Sequence, residues 1–226
     1  MAAILESWEV NARHWIDVLD AGELESRKLV TNAAVVNAIE RWYPGLVLDA
    51  GCGEGWLCRA LQREGIATVG VDGVAELIHD ARLKGDGHYE HLSFEDLLHY
   101  RFWPVTYFDV VVFNFCLYEN ELTSQLLKAA LRWVPARAKL VIQTLHPLSV
   151  LEPGDIYADG WKNERWAGLP RPFTHPYRWY YRTIGSWVDV VMKAGWELKK
   201  LEEPIHPRTG KPASLLITAE KPLRNK

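Results

Sequence analysis

Cysteine is scarce in this sequence, with three in 226 residues: Cys52, Cys58 and Cys116. An odd, scattered set without a CxxC pair excludes a disulfide framework and points to reduced intracellular thiols. The Cys52/Cys58 spacing fits no common zinc pattern, and strand alternation separates His88 from His91, so no metal is expected. Long apolar runs are missing as well. No stretch reaches the ~18 consecutive apolar residues that a membrane helix needs. A secretory leader would open on basic residues and an apolar run, but Glu6 and Glu9 stand there. The cytoplasm is therefore the expected compartment, with no membrane partner. Basic runs are absent too, and the formal net charge is −3. A nucleic-acid binder usually carries a basic face that neutralises phosphates, so no nucleic-acid partner is expected.

The sequence does hold an ordinary globular complement, 48% hydrophobic and 24% charged. That suffices for one α/β domain, or one domain with an elaborated cap. Tryptophan is abundant, at 11 residues crowded toward the two ends. Residues 4–19 and 23–41 show helical apolar spacing, as at Leu29, Val30, Ala33, Val36, Ala38 and Ile39. Gly22 separates the two stretches and Pro44-Gly45 closes the second. The period then changes. Leu46 to Ala50 is a short buried strand running into Gly51-Cys52-Gly53-Glu54-Gly55, followed by a helix from Trp56. Strands are expected at 67–72, 88–93, 108–114 and 139–145, with helices at 74–82 and 121–133. Short apolar strands alternating with helices mean a parallel sheet covered on both faces.

The rhythm breaks at 146–183, rich in Pro, Gly and aromatic residues. It is too long for a plain connector and too short for a second domain, which suits a lid or binding loop. A helix at 184–194 leads into two last strands, 196–203 and 213–220, joined by the turn-rich His206-Pro207-Arg208-Thr209-Gly210-Lys211-Pro212. That spacing suggests an antiparallel hairpin.

Strand, glycine turn, helix, strand and acid form a nucleotide-binding layout, because glycines admit a ligand to the backbone and a helix N-terminus offers free N–H groups. A dinucleotide fingerprint needs a glycine three residues after its second one, where this chain has Trp56. Asp49, two residues before the first glycine, sets a carboxylate at the strand end, which suits a cation better than a pyrophosphate. Val47-Leu48-Asp49-Ala50-Gly51-Cys52-Gly53-Glu54-Gly55 is followed in order by Val69-Gly70-Val71-Asp72-Gly73 and Ser93-Phe94-Glu95-Asp96-Leu97. Tyr107-Phe108-Asp109-Val110-Val111-Val112 and Leu140-Val141-Ile142-Gln143-Thr144-Leu145 continue the set. As an ordered group these segments resemble the class I S-adenosylmethionine (SAM)-dependent methyltransferases.

The resemblance implies a Rossmann-like α/β fold: a seven-stranded, mostly parallel sheet in the order 3-2-1-4-5-7-6, strand 7 antiparallel, with helices on both faces. One domain over 1–226 is expected, with an N-terminal helical cap (1–43), a SAM-binding core (44–145), an aromatic lid or substrate insertion (146–183), and a C-terminal helix and hairpin (184–226). Asp49 would bind the methionine ammonium, Gly51 and Gly53 would let the chain pass along that moiety, and Asp72 would accept from both ribose hydroxyls. Backbone at Phe94 and Glu95 would meet the adenine edge, and backbone at Asn114 the ammonium. Cys52, Gly73, Ser93 and Phe115 complete the set, although Ser93 stands where the family often has Asp. Arg27 is a candidate partner of the methionine carboxylate; its other reading is a solvated helix charge. SAM is then the cofactor and S-adenosylhomocysteine (SAH) its product.

In-line methyl transfer from a sulfonium needs alignment, water exclusion and sometimes a base, so it leaves no fixed triad in the sequence. Asn114-Phe115-Cys116-Leu117 lacks the Pro-Pro-aromatic run of enzymes that methylate exocyclic amines of bases, and no Pro-Cys nucleophile is present. A small or medium-sized organic acceptor is the expected partner. His146 at the carboxyl edge is the candidate base, or else a structural residue before Pro147. Trp8, Trp15, Trp161 and Tyr181 are candidate wall residues, with Arg182 or Arg27 as an anion clamp. Two other classes stay open: an NAD(P)-dependent Rossmann oxidoreductase, and a non-catalytic SAM-binding regulatory module.

Overall fold

The computed structural model describes residues 2–100, 107–164, 166 and 169–223. Its first helix, α1 (Ala2–Asp20), is followed by a π-helical turn, Arg27–Thr31, that runs directly into α2 (Asn32–Glu40). The second helix expected from the sequence is thus one rod interrupted by a π turn. Such turns displace one residue from the regular spiral and are frequent at functional sites.

The core begins with β1 (Leu46–Ala50), α3 (Trp56–Arg63), β2 (Ala67–Asp72), α4 (Ala75–Lys84) and β3 (His88–His91). It continues through α5 (Phe94–Leu97), β4 (Val110–Asn114), α6 (Glu121–Ala130) and β5 (Lys139–Thr144). The region after β5 forms a separate hairpin of β6 (Gly160–Asn163) and β7 (Arg178–Tyr181), and α7 (Ile184–Lys193), β8 (Glu197–Glu202) and β9 (Leu215–Glu220) follow. The main sheet is ordered β3-β2-β1-β4-β5-β9-β8. Its first five strands are mutually parallel, whereas β9 is antiparallel to both β5 and β8. This is the expected order, with β8 and β9 as the sixth and seventh strands. The hairpin expectation holds as well: Ile205 bridges Pro212, and His206 N–H donates to Lys211 O at 2.8 Å.

The apolar runs become central strands because both of their faces are covered. On one face, Val47, Val110, Val112 and Val141 pack under Val35 and Ile39 of α2 and Leu57 and Leu61 of α3. On the other, Leu48, Val111, Phe113 and Ile142 meet Leu126 and Leu127 of α6 and Trp187 and Val191 of α7. Strand order reverses between β1 and β4, which opens a crevice outside their carboxyl ends. Helix α1 lies over that crevice, with Ala12 and Ile16 packed on Val74 and Leu77.

Candidate active site

The glycine turn after β1 is folded back on β2 and held by its end. Gly51 and Cys52 N–H groups both donate to Val71 O, at 2.8 and 2.9 Å. Asp72 ties the turn to the next helix: one carboxylate oxygen accepts from Gly53 N at 2.8 Å and the other from Val74 N at 2.9 Å. Burial raises the Asp72 pKa, and those backbone donors oppose the rise. Gly51 has φ +81°, and a Cβ there would come within 2.6 Å of Cys116 Cβ. Gly53 has φ +57°, and a Cβ there would meet nothing within 4 Å. Gly51 is therefore a packing requirement, while Gly53 faces open space.

That space is a cavity of about 330 Å³. Asp49, Gly51, Cys52, Gly53, Asp72 and Gly73 line its floor. Ser93, Phe94, Glu95, Asn114 and Phe115 line one side, and Arg27, Trp8 and Trp15 lie on elements that cover it. Every residue expected to contact the cofactor, and two of the expected wall residues, thus share one cavity. Ser93 also caps α5, its hydroxyl accepting from Asp96 N at 3.1 Å. Phe115 holds φ +51°, a left-handed conformation that costs a non-glycine residue roughly 1–2 kcal/mol.

Two charges in the cavity stand out electrostatically. Asp49 is 1% exposed, and its Oδ1 has no hydrogen-bond partner among the described residues. Its other oxygen accepts only from Cys58 Sγ at 3.5 Å. Burial, chiefly, pushes its pKa up to about 7. A buried oxygen lacking a donor is costly, and a cationic donor would relieve it. Arg27 opens the π turn, its guanidinium 4.8 Å from the Trp56 ring centroid and 6.0 Å from that of Trp15. Asn32 Oδ1 orients it by accepting from Nε at 3.3 Å. Burial lowers its pKa to about 10. It forms no salt bridge among the described residues, so a cation stands ready for an anion. Thr31, at the other end of the turn, also lines the cavity with a buried hydroxyl that has no partner among the described residues.

Four expected residues do not join this cavity. His146 is fully buried; its Nε2 lies 2.7 Å from Glu203 Oε1, and Nδ1 accepts from Leu148 N at 3.3 Å. With both nitrogens engaged away from the cavity, the ring is not set to act as a base there. Tyr181 is buried with its hydroxyl donating to Pro147 O at 3.1 Å. Arg182, also buried, gives its donors to Glu119 O, Asn120 O and Asn120 Oδ1, so it clamps a loop instead of a ligand anion. Trp161 lines a neighbouring cleft.

The described part of the insertion packs on α1 and the loop after β4. No described residue of 146–183 lines the cavity, although the insertion packs behind Tyr118 of its wall, Tyr180 N donating to Tyr118 O at 2.7 Å. The insertion braces α1 instead. Buried Asn11 donates to Thr174 O at 2.7 Å and accepts from Thr174 N at 2.9 Å, while Ser7 donates to His175 O. Trp166 and Tyr177 pack edge-on to one another, with Trp166 also edge-on to Trp8 and Tyr177 edge-on to Tyr118.

A sequence profile described as a methyltransferase domain matches residues 28–201. The chain belongs to the methyltransferase family. No curated protein matches its sequence. Solved structures match its fold. An S-adenosylmethionine-dependent methyltransferase from Mesorhizobium loti is 20% identical with a TM-score of 0.62, over 83% of this chain and 96% of that one. The 1,6-didemethyltoxoflavin N1-methyltransferase of Burkholderia thailandensis, solved with bound 1,6-didemethyltoxoflavin and SAH, is 14% identical with a TM-score of 0.63, over 94% of this chain and 87% of that one. The CcbJ methyltransferase of Streptomyces caelestis is 15% identical with a TM-score of 0.62, over 84% and 88%.

In this methyltransferase the sequence reading missed Thr31, Glu54, Trp56, Tyr118 and Glu119, all of which line the cavity. Tyr118 and Glu119 had a signal in their place just beyond β4, at the carboxyl edge. Trp56 was visible as the residue that breaks the dinucleotide pattern, and its ring turns out to hold Arg27. Thr31 had none, since its placement depends on the π turn.

Proposed function

We propose that this methyltransferase uses SAM to methylate a small or medium-sized organic acceptor. One observation carries the reading: a buried carboxylate oxygen without a donor and a guanidinium without an ion pair, among the described residues, line the same cavity, beside a glycine backbone that leaves room for a ligand. The methionine end of SAM bears an ammonium and a carboxylate, so its charges complement Asp49 and Arg27. Asp72 keeps lone pairs available beyond its two backbone donors and can accept from ribose hydroxyls. Phe94 and Phe115 offer apolar surface for a purine.

When bound, SAM supplies an activated methyl group on a good leaving group. The protein's share is binding, alignment and water exclusion. Trp8, Trp15 and Leu24 cover the cavity, while Phe115 and Tyr118, whose hydroxyl donates to Phe115 O at 2.6 Å, form a fixed rim. A metal has no role in this reading, and no metal-holding group of three His, Cys, Asp or Glu occurs among the described residues. No described helix is long and apolar enough to cross a membrane.

The test is SAH release from SAM across panels of small phenols, amines, thiols and carboxylic acids. Turnover with at least one panel is expected. Transfer confined to RNA or protein would contradict the acceptor class.

A further inference from the structure

Eight buried side-chain nitrogen and oxygen atoms lack a hydrogen-bond partner among the described residues. Three of them line the SAM cavity: Asp49 Oδ1, Asn114 Oδ1 and Thr31 Oγ1. All three are oxygens with lone pairs to offer, and they come from three separate elements. The SAM reading above employs only the first.

Sheet register and helix spacing set these oxygens on one side of the sheet. Val47 lies beside Val110 and Asp49 beside Val112, and the three valines all pack under α2 and α3. Side chains alternate along a strand, so Asp49 and Asn114 share the face of Val47 and Val112, two residues before them. Thr31 precedes Val35, Ala38 and Ile39, the α2 residues buried on that same face. Helical spacing places it on their stripe, one turn nearer the cavity.

The π turn explains why the Thr31 hydroxyl has no partner there, although the residue is only 2% exposed. A helical threonine ordinarily bonds back to the carbonyl four residues earlier. Here that carbonyl, Arg27 O, accepts from Asn32 N–H, the five-residue bond of a π turn. The hydroxyl is left over from the helix's own bonding. Asn114 is the last residue of β4, and the chain leaves it through a strained turn. Phe115 holds φ +51° while its N–H donates to Gln143 O at 2.7 Å.

Several lone-pair bearers around one space suit a group with several N–H donors. Within SAM, the ribose hydroxyls belong with Asp72 at the end of β2, on the other side of β1 from Asn114. The ammonium carries three N–H bonds and a charge, which one carboxylate and two neutral oxygens can meet. Arg27, a turn before Thr31 and stacked on Trp56, is placed to take the carboxylate on the same α-carbon.

Resting on the SAM reading above, we propose that the Thr31 hydroxyl and the Asn114 side-chain oxygen join Asp49 in a three-oxygen seat for the SAM ammonium. The π turn then reads both charges of the amino-acid end, the carboxylate at Arg27 and the ammonium at Thr31.

The test is calorimetric titration with three ligands. They are SAH, desamino-SAH, in which hydrogen replaces the α-amino group, and methylthioadenosine, which lacks the amino-acid end. The unmodified protein should prefer SAH to desamino-SAH by roughly ten-fold or more, the range for hydrogen bonds to a charged group. Thr31→Val keeps the shape of the side chain without the hydroxyl and should weaken SAH about ten-fold. Asn114→Ala should act alike, and Thr31→Ser should restore most of the Thr31→Val loss. Desamino-SAH and methylthioadenosine should bind Thr31→Val and Asn114→Ala as they bind the unmodified protein, which also shows that the variants are folded. SAH affinity unchanged in either variant, or SAH and desamino-SAH weakened alike, would overturn the proposal while leaving SAM binding intact. If the unmodified protein binds none of the three ligands, the cofactor reading falls and this proposal with it.

Discussion

Asp49 gives the account its most demanding prediction, because its ionisation and cofactor binding are linked. The free carboxyl is held at a pKa of about 7, against an ordinary 3.8, mainly by burial. An ammonium at its donorless Oδ1 favours the ionised form, so binding must expel a proton wherever the free carboxyl is protonated. Between pH 7.5 and 5.5 the ionised fraction of a group with that pKa falls roughly twenty-five-fold, about 1.9 kcal/mol. SAH affinity should weaken by that order across this window. The unliganded protein should show the opposite slope. A carboxyl whose folded pKa is raised adds stability that is fully present below the ordinary pKa and is lost as pH rises through the folded one. The melting temperature of the free protein should therefore lose this contribution from pH 5 to 8, while the increment from SAH grows. Asp49→Asn should flatten both slopes and weaken SAH at pH 7.5 by about 1.5–3 kcal/mol, the usual loss for a hydrogen bond to a charged group. Calorimetry in two buffers of different ionisation heat counts the expelled proton directly. Affinity flat from pH 5.5 to 7.5, or a slope that survives Asp49→Asn, would refute the reasoning.

Three other perturbations separate packing from binding. Gly51→Ala combines a left-handed backbone with a 2.6 Å approach to Cys116 and should lower stability by more than about 2 kcal/mol, several degrees in melting temperature. Gly53→Ala meets no protein atom, so it should cost only about 1 kcal/mol of stability yet weaken SAH at least ten-fold. Asn11→Ala leaves both backbone groups of Thr174 without their partner and should destabilise by roughly 2–4 kcal/mol, with hydrogen exchange accelerated in α1 and around residue 174. His146→Gln should lower the melting temperature without changing SAH affinity, since the ring serves Glu203 and the Leu148 backbone.

The residues on the cavity floor were legible because their conformations are demanded locally. A strand that ends in Asp49 and turns through left-handed glycines leaves few alternatives, and Asp72 lies one strand away in register with them. Strand order followed for the same reason, since parallel apolar strands with helical crossovers admit few arrangements. The acceptor side was less legible. Position at the carboxyl edge gave His146 an address but not a rotamer, and Glu203 from the end of β8 decided the rotamer. Helical periodicity showed that α1 and the insertion each bury aromatic residues, but not that one would be layered on the other. The bonds that decide this, from Asn11 and Ser7 to backbone around residue 174, span more than 160 residues. The π turn arises where Arg27 packs between Trp15 and Trp56, a contact between three separate segments.

The central claim is that the cavity over β1 and β4 is a SAM site, and a calorimetric titration of the purified chain with SAH and, separately, with NADH tests it most directly. The account predicts one SAH per chain, weakened at least ten-fold by Asp72→Ala, and no heat from NADH. NADH binding, or SAH binding indifferent to Asp72, would contradict it.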